Sequence, residues 1–269
     1  MTNIDFKDSS IYRIGVFDSG LGGLTIVKSL LQTLSNSTIY YVADTKNAPY
    51  GAKSTQEIIN FSINITQYLI DKYKIDALVV ACNTATIASI KRVREKFPHL
   101  TIIGTEPAIK PACKVSQSKS IGVMATRATL NGKKYQELAS SLSDEYSVEI
   151  VERACVGLVE QIEAGQIDTD KTREMLKEWL EPMSKAGVDT IVLGCTHYPL
   201  VAKEIVSIMS NSPKLVDSAQ AIANRVKELL SIAKERESIN HLYIIPTGDI
   251  EKGMIDTALG GFDYTLLEF

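Results

Sequence analysis

The chain has 269 residues, of which 45% are hydrophobic and 23% charged, with a formal net charge of −3 and a pI of about 5.7. This composition is typical of a folded α/β protein, and its small negative charge argues against a nucleic-acid-binding protein. No apolar run is long enough to span a membrane, and the first residues lack the apolar core of a signal peptide. The sequence therefore predicts a cytoplasmic protein.

Taken in chain order, strand-like and helical patterns alternate from end to end. The first part predicts strand 12–17, helix 22–34, strand 38–43, helix 55–73, strand 76–81, helix 84–97 and strand 100–104. The middle predicts helix 106–116, strand 119–125, helix 129–142, strand 147–153, helices 156–165 and 169–186, and strand 189–194. The last part predicts helix 198–210, strand 214–217, helix 219–236, strand 241–245, helix 250–259 and a short strand near 262–265. This alternation indicates right-handed βαβ units and parallel sheets.

Two segments, 75–84 and 188–197, read I-D-A-L-V-V-A-C-N-T and V-D-T-I-V-L-G-C-T-H. Each is a buried strand that ends in a cysteine, which places Cys82 and Cys195 at equivalent positions of two similar units. Their similarity indicates an old duplication and predicts two pseudo-symmetric, flavodoxin-like α/β domains. We expect the first domain at 1–105 plus 214–269 and the second at 106–213, with one of the two cysteines in each.

The two cysteines stand where ligands bind in open α/β sheets, at the carboxyl end of a strand. Each precedes a predicted helix, whose N-terminus carries a partial positive charge that is expected to lower a thiol pKa and favour the thiolate. The pair in matched settings indicates chemistry with one thiol on each side of a substrate. Cys113 and Cys155 have no equivalent partner and are interpreted as structural.

The cysteines form no Cys-x-x-Cys motif, and a reducing compartment keeps such thiols free. The three histidines, His99, His197 and His241, show no metal-ligand spacing, so we expect no metal.

The segment Phe17–Gly23, F-D-S-G-L-G-G, joins the first strand to the first helix and is suited to binding a carboxylate or phosphate through its backbone N–H groups. It is not a dinucleotide fingerprint, because Thr25 stands where the third glycine would be. Asp18, at the end of the strand, is expected to bind a ligand amine or help to move a proton.

Other polar residues stand at similar junctions, either as helix caps and turn residues or as ligand contacts. Arg127, in one such junction, is interpreted as a surface residue. Glu160 and Glu163 share one helical face and are read from spacing alone as solvated. The residues at junctions are Tyr50, Asn83, Thr84, Thr126, Thr129 and Thr196.

Taken together, these motifs resemble those of the glutamate racemase family, which consists of cofactor-independent amino-acid racemases. The resemblance runs from about residue 12 to the end, and the first residues are interpreted as an extension. One departure is segment 154–163, which lacks the two prolines and the phenylalanine of the family pattern. The matching motifs are F-D-S-G-L-G-G (17–23), P-Y-G (49–51), A-C-N-T-A (81–85), T-R-A-T (126–129), G-C-T-H-Y-P (194–199), D-S-A (217–219) and P-T-G-D (246–249).

The resemblance implies that Cys82 and Cys195 are the two acid/base residues, with Asp18, His197 and Glu163 as polar helpers. It implies an active site in the cleft between the two domains, no cofactor, and D-glutamate made for peptidoglycan synthesis and hence for cell-wall biogenesis and cell shape. An α/β enzyme with a cleft between its domains is often a dimer, so we also expect a homodimer. We expect no nucleic-acid or membrane partner. It also implies that the substrate site is lined by Asp18, Ser19, Tyr50, Gly51, Asn83, Thr84, Thr126, Thr129, Thr196 and His197.

Three alternatives remain open. The chain could be an aspartate or hydantoin racemase of the same superfamily, although the D-S-G turn at 18–20 disfavours the aspartate type. It could be a regulatory binding protein, such as a gyrase inhibitor, although the intact thiol pair argues against a spent active site. A thiol redox protein would need two cysteines close enough to bridge.

Overall fold

A computed structural model describes residues 11–232 and 240–269 of the chain. The expected N-terminal extension, 1–11, therefore lies almost wholly outside the described residues, as does the end of predicted helix 219–236. The strands are β1 Tyr12–Asp18, β2 Ser37–Ala43, β3 Ala77–Val80, β4 Thr101–Gly104, β5 Ser120–Ala125, β6 Glu149–Ala154, β7 Thr190–Leu193, β8 Lys214–Val216, β9 His241–Pro246 and β10 Thr265–Leu266.

The α-helices are α1 Leu24–Thr33, α2 Thr55–Tyr73, α3 Asn83–Lys96, α4 Ile109–Val115, α5 Arg127–Leu130, α6 Lys133–Tyr146, α7 Leu158–Glu163, α8 Asp170–Lys185, α9 Ala202–Ile208, α10 Ala219–Leu229 and α11 Lys252–Leu259. Short 3-10 helices lie at Thr45–Asn47, Tyr50–Ala52 and Tyr198–Val201. No helix of the described ranges is long and apolar enough to cross a membrane.

The strands form two sheets in which every pairing is parallel. The first has the order β10-β9-β2-β1-β3-β4, and the second β6-β5-β7-β8. We call the first sheet with α1–α3, α10 and α11 the first unit, and the second sheet with α4–α9 the second unit. The prediction of an α/β fold with two parallel sheets is confirmed.

Apolar packing covers both faces of the first sheet, which is why its central strands read as continuous hydrophobic runs. Along β3, Ala77 and Val79 join one hydrophobic cluster, whereas Leu78 and Val80 join another on the opposite face. The first of these clusters continues into the second unit, where it includes Leu193 of β7. The carboxyl ends of β3 and β7 are thus tied together by a shared core.

The structure differs from the sequence prediction at one domain boundary and in two helices. The strand at 214–216 pairs with β7, so the chain leaves the second unit after Val216 and not at 213. Predicted helix 129–142 is divided between α5 and α6, because the turn at Asn131-Gly132 interrupts it. Predicted helix 198–210 begins as a 3-10 turn and becomes α-helical only at Ala202.

A hydrogen-bonded carboxylate, Asp189, precedes β7 at the edge of the sheet away from Cys195. It accepts hydrogen bonds from the hydroxyls of Ser116 (2.7 Å) and Thr190 (2.9 Å) and from the amides of Gln117 (2.7 Å) and Ser118 (2.8 Å). Burial opposes ionisation, but these hydrogen bonds outweigh it and lower the pKa of Asp189 to about 2.

We expect Asp189→Asn to lower the free energy of unfolding by about 1–2 kcal/mol at about pH 7, a figure reduced for the partial exposure of this side chain. A carboxyl group whose pKa falls on folding stabilises the folded state above its unfolded pKa, and this contribution disappears as the pH falls toward the folded value. The difference in free energy of unfolding between the parent and Asp189→Asn should therefore shrink below about pH 4. Urea unfolding of both proteins at neutral and acidic pH measures this difference. A difference that grows on acidification would contradict the lowered pKa of Asp189.

Candidate active site

A cavity opens between the carboxyl ends of the two sheets and is lined by residues of both units. All the predicted site residues line it except Asp18, Glu163 and Thr129. The structure thus brings together Ser19, Tyr50, Gly51, Cys82, Asn83, Thr84, Thr126, Cys195, Thr196 and His197.

Cys82 lies two residues after the end of β3 and caps the N-terminus of α3, where its sulfur accepts a hydrogen bond from the Ala85 N–H (3.4 Å). Its thiol donates toward the hydroxyl oxygen of Ser19 (3.8 Å). Burial raises the pKa of the Cys82 thiol well above its usual range, and the negative charge of Asp18 raises it further. The prediction of a lowered pKa is therefore wrong for this cysteine, because burial outweighs the helix N-terminus.

Cys195 follows β7 and has different surroundings. Its sulfur lies 3.7 Å from Nδ1 of His197, and the 3-10 turn Tyr198–Val201 follows it in place of the helix that the sequence predicts at this position. On the far side of the imidazole, Nε2 lies 2.5 Å from Oε1 of Glu163. Cys195, His197 and Glu163 therefore form a continuous polar chain.

The His197 ring is 2% exposed. Burial alone would lower its pKa, but hydrogen bonds to Cys195 and Glu163, with their negative charges, raise the pKa of His197 well above its usual value. Nε2 also lies 3.1 Å from the Gly22 amide nitrogen, a contact that suits a neutral ring. The contact to Glu163 is much shorter, and we assign the imidazolium, whose charge faces the sulfur of Cys195.

Glu163 joins the second unit to the glycine turn of the first. Its Oε1 accepts a hydrogen bond from the Leu21 N–H (2.6 Å) in addition to the contact with His197. Burial would raise the pKa of Glu163, but the hydrogen bond and the charge of His197 outweigh it and lower the pKa. A Cβ atom at Gly20 would collide with Glu163, and one at Gly22 would collide with His197. The turn therefore needs glycine for this close approach.

Asp18 lies behind the cavity wall and is fully buried. Its carboxyl oxygens accept hydrogen bonds from the amides of Ser19 (2.8 Å) and Gly23 (2.6 Å) and from the hydroxyl of Thr196 (3.2 Å). Burial raises its pKa above the usual value, against the opposing charge of His197. Asp18 thus shapes the glycine turn and connects it to the second unit next to Cys195.

Three threonine hydroxyls, two of them from residues that line the cavity, form a ring that joins the two units. Thr84 lies 2.9 Å from Thr126 and 3.3 Å from Thr129, and Thr126 donates to Thr129 (3.0 Å). Each hydroxyl has one proton to donate. Because the proton of Thr126 is donated to Thr129, Thr84 must donate to Thr126, and Thr129 must donate to Thr84. We refer to these three residues as the threonine ring.

Asn83 lines the cavity beside Cys82 and is 4% exposed. Within the described ranges its amide nitrogen Nδ2 is buried and has no hydrogen-bond partner. A buried unpaired donor is unfavourable by about 1–3 kcal/mol. Its position on the cavity wall therefore favours a ligand acceptor at this point.

Sequence reasoning missed part of the cavity wall. Cys155, interpreted as structural, and Arg127, interpreted as a surface residue, both line the cavity, and so do Val156 and Glu160. Arg127 directly follows β5 and Thr126, so its place at a strand end was the available signal. Within the described part of the chain, no group of three or more His, Cys, Asp or Glu side chains is placed to hold a metal ion.

Comparison with known proteins gives a consistent result. The sequence model of the family described as Asp/Glu/Hydantoin racemase matches residues 14–226. A glutamate racemase of Sulfurovum sp. (strain NBC37-1) is 51% identical over 255 residues, which cover 93% of this chain and 95% of that protein.

Solved structures agree. Escherichia coli glutamate racemase, in complex with L-glutamate and the activator UDP-MurNAc-Ala, has a TM-score of 0.82 at 32% identity, covering 96% of this chain and 97% of that one. Glutamate racemase from Francisella tularensis in complex with D-glutamate has a TM-score of 0.81 at 28% identity, covering 97% and 98%.

Proposed function

Since the chain belongs to the Asp/Glu/Hydantoin racemase family, we propose that it interconverts L-glutamate and D-glutamate by transfer of the Cα proton through Cys82 and Cys195. The observation that carries this proposal is the presence of both thiols in one cavity, each at the carboxyl end of a strand from a different unit. Inversion at Cα needs a base on one face and an acid on the other, and two units supply one thiol each.

The unequal surroundings of the thiols support different roles in the first proton transfer. The imidazolium of His197 faces the sulfur of Cys195 at 3.7 Å, whereas burial and Asp18 raise the pKa of Cys82 and keep it protonated. In our proposal the Cys195 thiolate takes the Cα proton of L-glutamate, and the bonding electron pair moves into the α-carboxylate. Cys82 then gives its proton to the opposite face of Cα. D-glutamate leaves with Cys195 as thiol and Cys82 as thiolate. Proton exchange with solvent then returns both thiols to the first state, whereas binding of D-glutamate before that exchange reverses the reaction.

The negative charge that develops on the α-carboxylate needs preorganised donors. The unpaired Asn83 amide supports this role, together with the hydroxyl of Ser19 on the same wall. Thr196 also lines this wall, but its hydroxyl donates to Asp18. Arg127, exposed at the edge of the cavity, adds a positive charge suited to a dicarboxylate substrate. The remaining proposed substrate contacts are Tyr50, Gly51, Thr84, Thr126 and Thr129, while Asp18, Glu163 and His197 hold the two thiols and the glycine turn in place.

The alternatives are less well supported. Curated relatives with about half of their residues identical are glutamate racemases, which disfavours aspartate and hydantoin as substrates. The four cysteines, all within the described residues, are free thiols, and no feature of the cavity favours a redox protein or a gyrase-binding protein.

We further propose that the D-glutamate serves peptidoglycan synthesis, that the protein acts in the cytoplasm as a homodimer, and that it needs no added cofactor. Free buried thiols suit a reducing compartment.

Circular dichroism of L-glutamate incubated with the purified protein tests the activity directly. With no cofactor added, we expect the optical signal to decay to zero, while L-aspartate under the same conditions keeps its signal. An absorbance spectrum of the same sample tests the expectation that no cofactor is needed, because it shows whether pyridoxal phosphate is present. Faster decay with L-aspartate would overturn the choice of substrate, and no decay with L-glutamate would overturn the proposed activity.

A further inference from the structure

The P-T-G-D motif at 246–249 lies far from the thiols in sequence, yet it packs against the segment that carries Tyr50. Thr247 donates from its hydroxyl to Oδ1 of Asp44 (2.8 Å) and accepts from the Lys46 N–H (3.1 Å). The Gly248 N–H donates to the hydroxyl of Thr45 (3.0 Å). A Cβ atom at Gly248 would lie 3.1 Å from the Lys46 nitrogen. The motif therefore holds segment 44–47 by close backbone contact.

Asp44 is the centre of this contact. It directly follows β2, is 2% exposed, and receives hydrogen bonds from three side chains. The Tyr50 hydroxyl donates to Oδ2 (2.6 Å), Asn47 Nδ2 donates to both oxygens (3.0 and 3.1 Å), and Thr247 donates to Oδ1. A buried carboxyl group with this many donors fixes the positions of all three partners.

The hydrogen bond to Asp44 restrains the cavity wall through Tyr50, since Tyr50 and Gly51 form part of that wall. Its ring also packs against Phe61, with centroids 5.6 Å apart. Burial raises the pKa of Tyr50, and the charge of Asp44 raises it further, so the side chain remains a neutral phenol whose proton is held by Asp44. Tyr50 can then turn away from the cavity only by breaking this hydrogen bond.

We propose that Asp44 and Thr247 are positioning residues that fix the Tyr50–Gly51 wall for substrate binding. This inference rests on the proposed glutamate racemase function and adds two residues to it. Among the described residues, neither Asp44 nor Thr247 forms a hydrogen bond with Cys82 or Cys195. The hydrogen bonds of Cys82 are with Ser19 and Ala85, and Cys195 lies against His197. The pair therefore acts on binding and not on proton transfer.

Kinetics of Asp44→Asn and Thr247→Val test the proposal. We expect KM for both enantiomers to rise about tenfold, equivalent to about 1.4 kcal/mol, while kcat changes by less than about threefold. Thr247→Ser keeps the hydroxyl and should retain the parent KM. Asp44→Asn in a Tyr50→Phe background should add nothing, because the hydroxyl through which Asp44 acts is gone.

The chain offers matched controls. Asp189 and Thr190 form the same carboxyl–hydroxyl pair (2.9 Å) at the far edge of the other sheet. Asp189→Asn and Thr190→Val lose comparable hydrogen bonds away from the cavity, so they should leave KM unchanged even where stability falls. Thermal unfolding of every variant verifies that the protein measured is folded.

Several outcomes would overturn the inference. They are an unchanged KM in both Asp44→Asn and Thr247→Val, a loss of kcat without a change in KM, an equal rise of KM in the controls, and effects of Asp44→Asn and Tyr50→Phe that simply add.

Titration calorimetry with D-glutamate separates this inference from the proposed function. If the parent binds D-glutamate without racemising it, only the function falls, and weaker binding by the variants still supports the positioning role. A parent that binds no glutamate contradicts both.

Discussion

Replacing either Cys82 or Cys195 by Ser should lower the rate of glutamate racemisation by about 10²–10⁴-fold, the usual contribution of a positioned general acid or base. A serine hydroxyl is a far weaker acid than a thiol, so it neither takes the Cα proton nor gives one at a useful rate. Each single variant keeps one functional thiol and therefore one functional face. The double variant should lose both.

Proton exchange in deuterium oxide distinguishes the two faces. With Cys195 intact, Cys82→Ser should exchange the Cα proton of L-glutamate without inverting it, and Cys195→Ser should do the same with D-glutamate. Nuclear magnetic resonance measures the exchange and circular dichroism the inversion. Cys113→Ser is the matched control, because this cysteine is equally buried but does not line the cavity. If both single variants racemise at the parent rate, the two-thiol mechanism is wrong.

The second large effect is expected at His197. In His197→Asn the cation that faces the Cys195 sulfur is lost, and kcat/KM should fall by about 10²-fold, the lower range for loss of an acid/base partner. The pKa of His197 is raised well above its usual value, so the parent keeps this cation across the neutral range and the rate–pH profile should show the deficit throughout that range.

The stereochemistry adds a strict constraint on this result. Enantiomers have equal free energies in water, so kcat/KM must fall by the same factor in both directions. Any difference between the directions must appear as an extra change in kcat that is matched by an equal factor in KM. Progress curves started from pure L- and pure D-glutamate measure both directions. His99→Asn, at an exposed histidine, should behave as the parent. A parent-like rate and pH profile in His197→Asn would show that the imidazolium does not assist Cys195.

The sequence alone predicted the strands that end in Cys82 and Cys195, because a strand buried on both faces leaves a continuous apolar run. It could not predict that the pKa of the Cys82 thiol is raised. The rule that a helix N-terminus lowers a thiol pKa holds for the Ala85 N–H, but the burial of Cys82 and its closeness to Asp18 depend on tertiary packing. The pairing of Glu163 with His197 was likewise invisible to helical spacing, which indicated a solvated face.

The contacts of Asp44 show the same limit at longer range. Its partner Thr247 lies 203 positions away in the sequence. No local sequence pattern predicts which distant loop packs against the end of a given strand. The P-T-G-D motif was recognised by resemblance, but its partner was not. The position of Asp44, immediately after a buried strand, was the one local signal.

The threonine ring has a consequence for how the cavity opens. Each of its three hydroxyl protons is already used within the ring, so an arriving carboxylate meets only lone pairs until one of the internal hydrogen bonds breaks. The hydrogen bonds that Thr84 forms with Thr126, as donor, and with Thr129, as acceptor, are also bonds between the two units. Releasing a donor for the ligand at Thr84 therefore breaks a hydrogen bond between the two units at the same moment. Ligand binding at Thr84 and the loss of this contact between the units are thus thermodynamically linked, each favouring the other by the same free energy.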